Sequence, residues 1–210
     1  MRYYATASGP KVRDAMTAGL IGQVITYKAG NKLTEGAEFI VDAGTVSIVD
    51  GLPVNDPDWS AEKWEATLRR YAGVPGCAFA VVPDWVLDWR RTNERWARYH
   101  GIVRNLGYRP AYVLQDGCQT IPASAGAVFV GGTTEWKLGP NAARLIRKAK
   151  ADGLPVHMGR VNTRRRLRLA ADLDCDSADG TCLAFAPDAT LRQLLSWLNP
   201  MQPSMFGGVA

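Results

Sequence analysis

Short apolar runs alternate with segments of helical spacing along the chain, and this alternation constrains the fold more than any other feature. Apolar runs that predict strands occupy residues 2–6, 22–26, 39–43, 78–83, 111–115, 127–131, 155–159 and 173–178. Amphipathic segments that predict helices occupy residues 11–19, 60–71, 92–106, 140–152, 163–171 and 191–198. Runs such as Ala-Phe-Ala-Val-Val at 78–82 lack polar alternation, which is typical of parallel sheets covered on both faces.

Eight predicted strands, most of them followed by a helix, indicate an α/β fold of the (β/α)8 TIM-barrel type. Because the chain has 210 residues, the barrel must be compact and several helices short. A doubly wound open sheet is the alternative, although no Gly-x-Gly-x-x-Gly follows the first strand. We expect one domain over residues 1–198 and a flexible tail over 199–210. Segment 43–59, rich in Gly, Pro and Asp, is expected to be a functional loop or lid.

Composition excludes several classes of protein. Hydrophobic residues make up 47% of the chain and charged residues 21%, which is ordinary globular usage. No apolar run approaches the ~20 residues that cross a bilayer, and the first residues do not open a signal peptide, so we expect a soluble, cytoplasmic protein without a membrane partner. Four widely spaced cysteines and two histidines give little basis for a metal or serine-hydrolase site. We expect no metal, and a chemistry that rests on carboxylates.

Carboxylates and amides gather at the predicted carboxyl ends of the strands, which form the catalytic face of a TIM barrel. Asp42 ends the third strand, Asp84 follows the fourth and Gln115 ends the fifth. The later strand ends carry Gly131, Gly132, Glu135, Asp176 and Asp179. Taken singly, each aspartate has an equally good structural explanation, in which its carboxylate accepts backbone N–H bonds in a turn or helix cap. Their joint placement favours one shared site, where crowded acids raise each other's pKa.

Two carboxylates that face one sugar carbon are the minimum for displacement at a glycosidic centre, since one attacks C1′ and the other handles the proton of the leaving group. Neighbouring glycines let a planar ring approach the backbone, and an amide such as that of Gln115 can read the edge of the ring. The pattern indicates a nucleobase-exchange site. Aldolases and phosphatases also place acids on barrel rims, so the residues alone leave other chemistries open.

The segment Leu-Pro-Val-His-Met-Gly-Arg-Val at 154–161, followed by a helix and by Asp-Ser-Ala-Asp at 176–179, resembles the end of the tRNA-guanine transglycosylase barrel. Other similarities keep the order of that family's motifs: Val-Asp-Ala-Gly at 41–44, Val-Pro-Asp at 82–84, Gln-Asp-Gly at 115–117, and Gly-Gly at 131–132 with Glu135. Together with the opening segment 3–10, they make the chain most similar to the compact DpdA-like proteins of bacteriophages, which place 7-deazaguanine bases in DNA.

The resemblance implies a pentosyltransferase: a DNA-guanine transglycosylase that exchanges guanine in DNA for a 7-deazaguanine base through a covalent aspartyl-glycosyl intermediate. It implies Asp179 as the nucleophile and Asp42 as the acid/base group. The implied base-binding residues are Asp84, Gln115, Gly131, Gly132 and Glu135. DNA and the free 7-deazaguanine base are the implied partners, no cofactor is implied, and a phage-encoded protein would act in the cytoplasm of the host cell.

The zinc site of the tRNA enzymes, three cysteines and a histidine after the nucleophile, has no counterpart in this sequence. Cys182 is the only cysteine after Asp179, and no histidine follows His157. The sequence therefore predicts a barrel without the zinc-binding subdomain. Because that subdomain belongs to the region that grips RNA, its absence favours DNA over tRNA as the substrate.

Arginines crowd the seventh βα unit and the segment after Asp84. A protein that acts on a polyanion needs such density near its site, because phosphate contacts supply most sequence-independent affinity. Arg160 and Arg164 are the predicted phosphate contacts, with a solvated helix face as the alternative. His157, inside a predicted strand, is expected to be a hydrogen-bonded core residue.

Other functions stay open at this stage. A nucleoside hydrolase or deoxyribosyltransferase would use the same two carboxylates on free nucleosides and would not need the arginines. A tRNA-guanine transglycosylase would share the chemistry and differ in its nucleic acid. A non-catalytic DNA-binding module on the same barrel would need the arginines without the acids.

Overall fold

The computed structural model describes residues 1–30, 32–184 and 186–199, and its centre is a closed barrel of eight parallel strands. In chain order the strands are β1 (Arg2–Ala5), β2 (Gly22–Ile25), β3 (Phe39–Val41), β4 (Val46–Val49), β5 (Leu52–Asn55), β6 (Cys77–Val81), β7 (Pro110–Leu114), β8 (Ala127–Val130), β9 (Val156–Met158) and β10 (Ser177–Asp179). The barrel order is β1-β10-β9-β8-β7-β6-β3-β2, and it closes where β2 pairs with β1. The predicted (β/α)8 TIM barrel is confirmed.

Helices cover the outside of the barrel. They are α1 (Pro10–Thr17), α2 (Ala61–Tyr71), α3 (Trp89–Asn105), α4 (Thr134–Lys137), α5 (Pro140–Ala151), α6 (Arg164–Asp172) and α7 (Pro187–Leu198). Ser60, Asp88 and Thr163 each accept backbone N–H groups of the helix that follows, which fixes where α2, α3 and α6 begin. Helical spacing then turns the apolar side chains inward, as with Trp64 and Leu68 of α2, both buried.

The core lies in and around the barrel wall. Every residue of β7 is buried, and the α5 side chains Leu145 and Ile146 pack on β8 and β9 without solvent exposure. The connections 26–38 and 115–126 hold no helix in their described residues. A chain of 210 residues completes the ring because some of its connections are made this short.

An antiparallel hairpin of β4 and β5 occupies the segment 43–59 that the sequence predicts to be a functional loop. Its register pairs Val49 with Leu52 across a two-residue turn. The turn residues Asp50 and Gly51 both have positive φ, 50° and 78°, as a type I′ turn requires. The Asp-Gly pair thus defines a tight hairpin where composition suggested only an irregular loop.

The predicted eighth strand at 173–178 is placed too early along the chain. Leu173 caps α6, Asp174 turns with a φ of 59°, and the strand β10 begins only at Ser177. Asp176 therefore lies at the start of β10, at the opposite end of the barrel from the predicted rim. Its carboxylate accepts the Val156 N–H at 2.7 Å and a bond from a lysine of α5 at 2.6 Å, so its role there is structural.

Two further predictions concern the chain end and membranes. The predicted tail 199–210 lies, apart from Asn199, outside the described residues. None of the described helices is both long enough and apolar enough to cross a membrane.

Replacing Leu145 by Ala should lower the free energy of unfolding by about 2–5 kcal/mol, because the buried side chain leaves a cavity between α5 and the barrel. Leu20→Ala is the matched control, since Leu20 is 43% exposed and should change stability by less than about 0.5 kcal/mol. Urea unfolding followed by circular dichroism measures both variants. Equal effects would contradict this assignment of the core.

Candidate functional site

A cavity of about 260 Å³ opens at the carboxyl ends of β3, β6, β7 and β8. Strand residues such as Val81, Val113 and Phe129 contribute apolar surface, and the hairpin contributes more. The cavity collects most of the predicted site residues: Asp42, Asp84, Gln115, Gly131, Gly132 and Arg160. Residues that are far apart in sequence meet here because parallel strands end on the same rim.

Asp42 follows β3 directly and is fixed by a tight turn. Its Oδ1 accepts the N–H of Gly44 at 2.7 Å. Gly44 has a φ of 66°, and a Cβ there would come within 2.9 Å of the Thr26 hydroxyl, so the turn requires glycine. The pKa of Asp42 is raised to about 7, mainly by burial and also by the negative charges of Asp179 and Asp84, while the Gly44 N–H bond opposes the rise. Asp42 is therefore protonated in roughly half of the molecules at neutral pH.

Asp179 ends β10 and is held by two donors. Its Oδ1 accepts the backbone N–H of Arg160 at 2.8 Å, and its Oδ2 lies 3.2 Å from Nε2 of His157. Burial alone would raise the pKa of Asp179, but the His157 contact, the Arg160 N–H and the positive charge of Lys137 together lower it below its ordinary value. Asp179 is therefore ionised in the pH range just below 7, where Asp42 still holds its proton.

The prediction that His157 is a hydrogen-bonded core residue is confirmed. Its contact with Asp179 was not predicted from the sequence. Its side chain is 1% exposed, Nδ1 lies 2.9 Å from the Ser177 hydroxyl, and the Phe129 ring packs with its centroid 4.7 Å away. An ionised carboxylate only accepts, so Nε2 donates to Asp179. These neighbours fix the ring and therefore the direction of the Asp179 carboxylate.

Arg160 serves the site through both its backbone and its side chain. Its φ of 60° is uncommon for a residue with a Cβ and costs about 1 kcal/mol or more. The turn aims its N–H at Asp179, and its guanidinium donates to the carbonyl of Gly132 across the cavity. Backbone strain is thus present at Arg160, the residue that joins the segment after β9 to Asp179 and to the Gly132 loop.

Asp84 and Gln115, the predicted base readers, form one buried network. The Thr45 hydroxyl donates to one oxygen of Asp84, and Nε2 of Gln115 donates to the other. The Oε1 of Gln115 accepts the Leu87 N–H at 3.0 Å, which fixes the amide orientation. Burial raises the pKa of Asp84, and the two side-chain bonds oppose that rise.

The Gly131-Gly132 backbone passes close to this network. A Cβ on Gly131 would lie 2.9 Å from Nε2 of Gln115, and one on Gly132 would lie 2.6 Å from Oδ2 of Asp116. Asp116 accepts the N–H and the hydroxyl of Thr133, both at 2.7 Å, and so anchors the loop. Glycine is therefore required at both positions because neighbouring side chains of the site occupy the space that a Cβ would take.

Three predicted residues lie outside the cavity lining. Asp179 is one of them, and it meets the lining through its hydrogen bond with the backbone N–H of Arg160. Glu135 is exposed on α4, and Arg164 is exposed at the start of α6. The arginines of α6 line a separate groove of about 1090 Å³, which we call the arginine groove; they are Arg164, Arg165, Arg166 and Arg168.

Lys137 is the charged residue of α4 that the sequence analysis missed. It is 5% exposed, and its Nζ donates to the Gly159 carbonyl at 2.7 Å. Burial lowers its pKa to about 7, the positive charge of Arg160 acts in the same direction, and Asp179 opposes both. Its position between Trp136 and Leu138 is the one sequence feature that could have predicted its burial, because a lysine flanked by large apolar residues can bury its aliphatic stem with them.

Within the described residues, no three or more His, Cys, Asp or Glu side chains are grouped so as to hold a metal ion. No protein-family model matches the chain, and no curated protein matches it significantly. Any assignment of function therefore starts from the geometry of the cavity and from the two acids at its edge.

Replacing Asp42 by Asn should remove a pH-dependent loss of stability. The pKa of Asp42 rises from 3.8 to about 7 on folding, so between these values the folded chain retains a proton that the unfolded chain has released. The free energy of unfolding of the native protein therefore falls as the pH rises through this range. Relative to the native protein, Asp42→Asn should gain stability between about pH 5 and about pH 8.

Urea unfolding at both pH values measures this difference. Asp14→Asn is the matched control, because Asp14 lies on the exposed face of α1. A stability difference between Asp42→Asn and the native protein that stays constant with pH would contradict the raised pKa.

Proposed function

We propose that this protein is a DNA-guanine transglycosylase, which replaces guanine in DNA by a 7-deazaguanine base. One observation carries the proposal: Asp42 lines the cavity within reach of the negative charge of Asp179, and the surroundings of the two acids drive their pKa values in opposite directions. A proton donor beside an ionised nucleophile is what displacement of a base from a sugar requires.

In the first step, an oxygen of Asp179 attacks C1′ of the target deoxyguanosine. The new C1′–O bond forms as the C1′–N9 bond breaks, and the electron pair of that bond leaves with the base. The protonated form of Asp42, populated at and below neutral pH, gives its proton to the departing guanine. The products are a covalent glycosyl ester on Asp179, neutral guanine and the Asp42 carboxylate.

In the second step, the incoming 7-deazaguanine transfers its N9 proton to the Asp42 carboxylate. N9 then attacks C1′ from the face opposite Asp179, and the ester C1′–O bond breaks. Two inversions restore the original configuration, and both acids return to their starting protonation states. Atoms and charges balance with no redox partner or cofactor.

The Asp84 and Gln115 network supports recognition of a guanine-like ring. Guanine and 7-deazaguanine present the same N–H donors and carbonyl acceptor on one edge. The carboxylate of Asp84 can accept from those donors, and the second N–H of Gln115 Nε2 can donate to the carbonyl. Asp84, Gln115 and Gly131 line the same cavity, so one pocket serves both the leaving and the entering base.

The arginine groove supports a polynucleotide substrate over a free nucleoside. A second groove of about 510 Å³ lies beside α3, lined by Trp59, Trp85, Arg91, Glu94, Arg95, Arg98 and Tyr99, and we call it the tryptophan–arginine groove. The Arg95 guanidinium lies 4.7 Å from the ring centroids of both Trp59 and Trp85 and donates to the Asp84 carbonyl, which ties this groove to the cavity. Two cationic grooves suit a chain of phosphates.

Asp179→Asn should abolish exchange, because the amide cannot form the ester. We expect a fall of roughly a thousandfold or more in guanine release and in base incorporation, measured by mass spectrometry of digested DNA. Asp14→Asn, which replaces an exposed acid of α1, should leave both rates unchanged. Full exchange by Asp179→Asn would remove this residue from the nucleophile role.

Removing two arginines from the arginine groove should weaken the salt dependence of DNA binding. In Arg164→Ala/Arg168→Ala, the slope of log K against log salt should fall by about 1 to 2, since each lost phosphate contact contributes about 0.9. Arg147→Ala/Arg192→Ala removes the same charge from exposed positions on α5 and α7 and should leave the slope unchanged. Fluorescence anisotropy with duplex DNA and with tRNA measures the slopes.

Exchange on free nucleosides at a rate that does not change with salt would favour the alternative function, a nucleoside hydrolase or deoxyribosyltransferase.

A further inference from the structure

The hairpin of β4 and β5 exposes apolar side chains to an unusual degree. Leu52 is 67% exposed, Ile48 59% and Val49 55%. Most of the large apolar side chains exposed within the described residues lie on or beside this hairpin, the others there being Val46 and Leu87. Such a patch on a short projecting element marks a surface that meets another molecule.

The hairpin is built to hold this tip in place. The tight Asp50-Gly51 turn fixes the register, and the base of the hairpin is anchored to the barrel. Asp56 accepts the Ser47 hydroxyl at 2.6 Å and pairs with a lysine that follows β2. Asn55 accepts the Val86 N–H at 2.9 Å. Anchored strands and a tight turn keep the apolar tip extended into solvent.

The same hairpin forms part of the cavity wall. Val46, Ile48 and Pro53 line the cavity that contains Asp42 and Asp84, whereas Val49 and Leu52 lie at the tip outside this lining. The hairpin is therefore apolar at its tip, and its lower part is continuous with the cavity wall. Such an element can push a nucleobase out of a base stack and fill the gap that the nucleobase leaves.

Cationic grooves flank the mouth of the barrel on two sides. The tryptophan–arginine groove belongs to the segments after β3 and β6, as the hairpin does, so it lies on the hairpin side of the ring. The arginine groove belongs to the segments after β8 and β9, and β9 lies opposite β3 in the closed barrel order. A duplex whose phosphates contact these grooves would bring its bases to the apolar tip, so the charges complement a nucleic acid rather than an apolar protein surface.

We propose that the tip of this hairpin, Val49 and Leu52, inserts into the base stack of duplex DNA and fills the space left by the guanine that turns into the cavity. The inference rests on the proposed function and specifies its substrate as base-paired DNA. Extracting a paired base costs a few kcal/mol, and apolar side chains that wedge between base steps offset the lost stacking. Single-stranded DNA needs no such wedge.

The test compares exchange on a duplex oligonucleotide with exchange on its guanine-containing strand alone. Val49→Ser/Leu52→Ser leaves the cavity lining intact, and Leu20→Ser is the control for an exposed leucine elsewhere. We expect the double variant to lose roughly tenfold or more on the duplex and to stay within about twofold on the single strand. Equal losses on both substrates, or no loss on the duplex, would overturn the proposal.

A second measurement does not depend on exchange. Asp179→Asn is mixed with a duplex that carries 2-aminopurine beside a guanine, where unstacking raises fluorescence. A rise that disappears when Val49→Ser/Leu52→Ser is added supports insertion, even if the native protein exchanges no base and the proposed function fails. No rise, or a rise that the hairpin substitutions leave intact, would overturn the wedge. So would a native dimer that Val49→Ser/Leu52→Ser converts to a monomer, since the tip would then bind a second copy.

Discussion

The negative charge of Asp179 helps to keep a proton on Asp42, and the proposed chemistry depends on this coupling between two acids. Both carboxyl groups are removed from bulk water, so burial raises the pKa of each. Their different neighbours decide the outcome: Asp179 faces His157, the Arg160 N–H and a buried lysine, whereas Asp42 gains one backbone N–H and two negative neighbours. Two aspartates thus acquire pKa values shifted in opposite directions.

The barrel makes this asymmetry possible by separating the supports of the two acids. Asp42 depends on a glycine turn after β3, while Asp179 depends on β9 and on the strained turn at Arg160. The strain at Arg160, the buried Lys137 and the raised pKa of Asp42 each lower the stability of the fold. A site that concentrates such costs is typical of function rather than of packing.

Much of this arrangement could be predicted from the sequence, because strand ends are visible in it. Asp42, Asp84 and Gln115 follow clear apolar runs, and parallel strands bring such positions to one rim. The prediction for Asp176 is wrong because the alternating Leu-Asp-Cys-Asp that follows α6 resembles the start of a strand. The contact between His157 and Asp179 depends on the register of two strands, and that register is not encoded in local spacing. Segment 43–59 is predicted as a loop because its Gly, Pro and Asp content is typical of loops, and these same residues form the tight turn and the flanks of the hairpin.

The central claim is that Asp179 becomes bonded to C1′ while Asp42 moves the proton. Intact-protein mass spectrometry after mixing the protein with a guanine-containing oligonucleotide, followed by peptide mapping of the adduct, tests it most directly. We expect a covalent protein–DNA species that maps to the peptide containing Asp179 and is discharged by added 7-deazaguanine base. An adduct on another residue, or exchange without any covalent species, would contradict it.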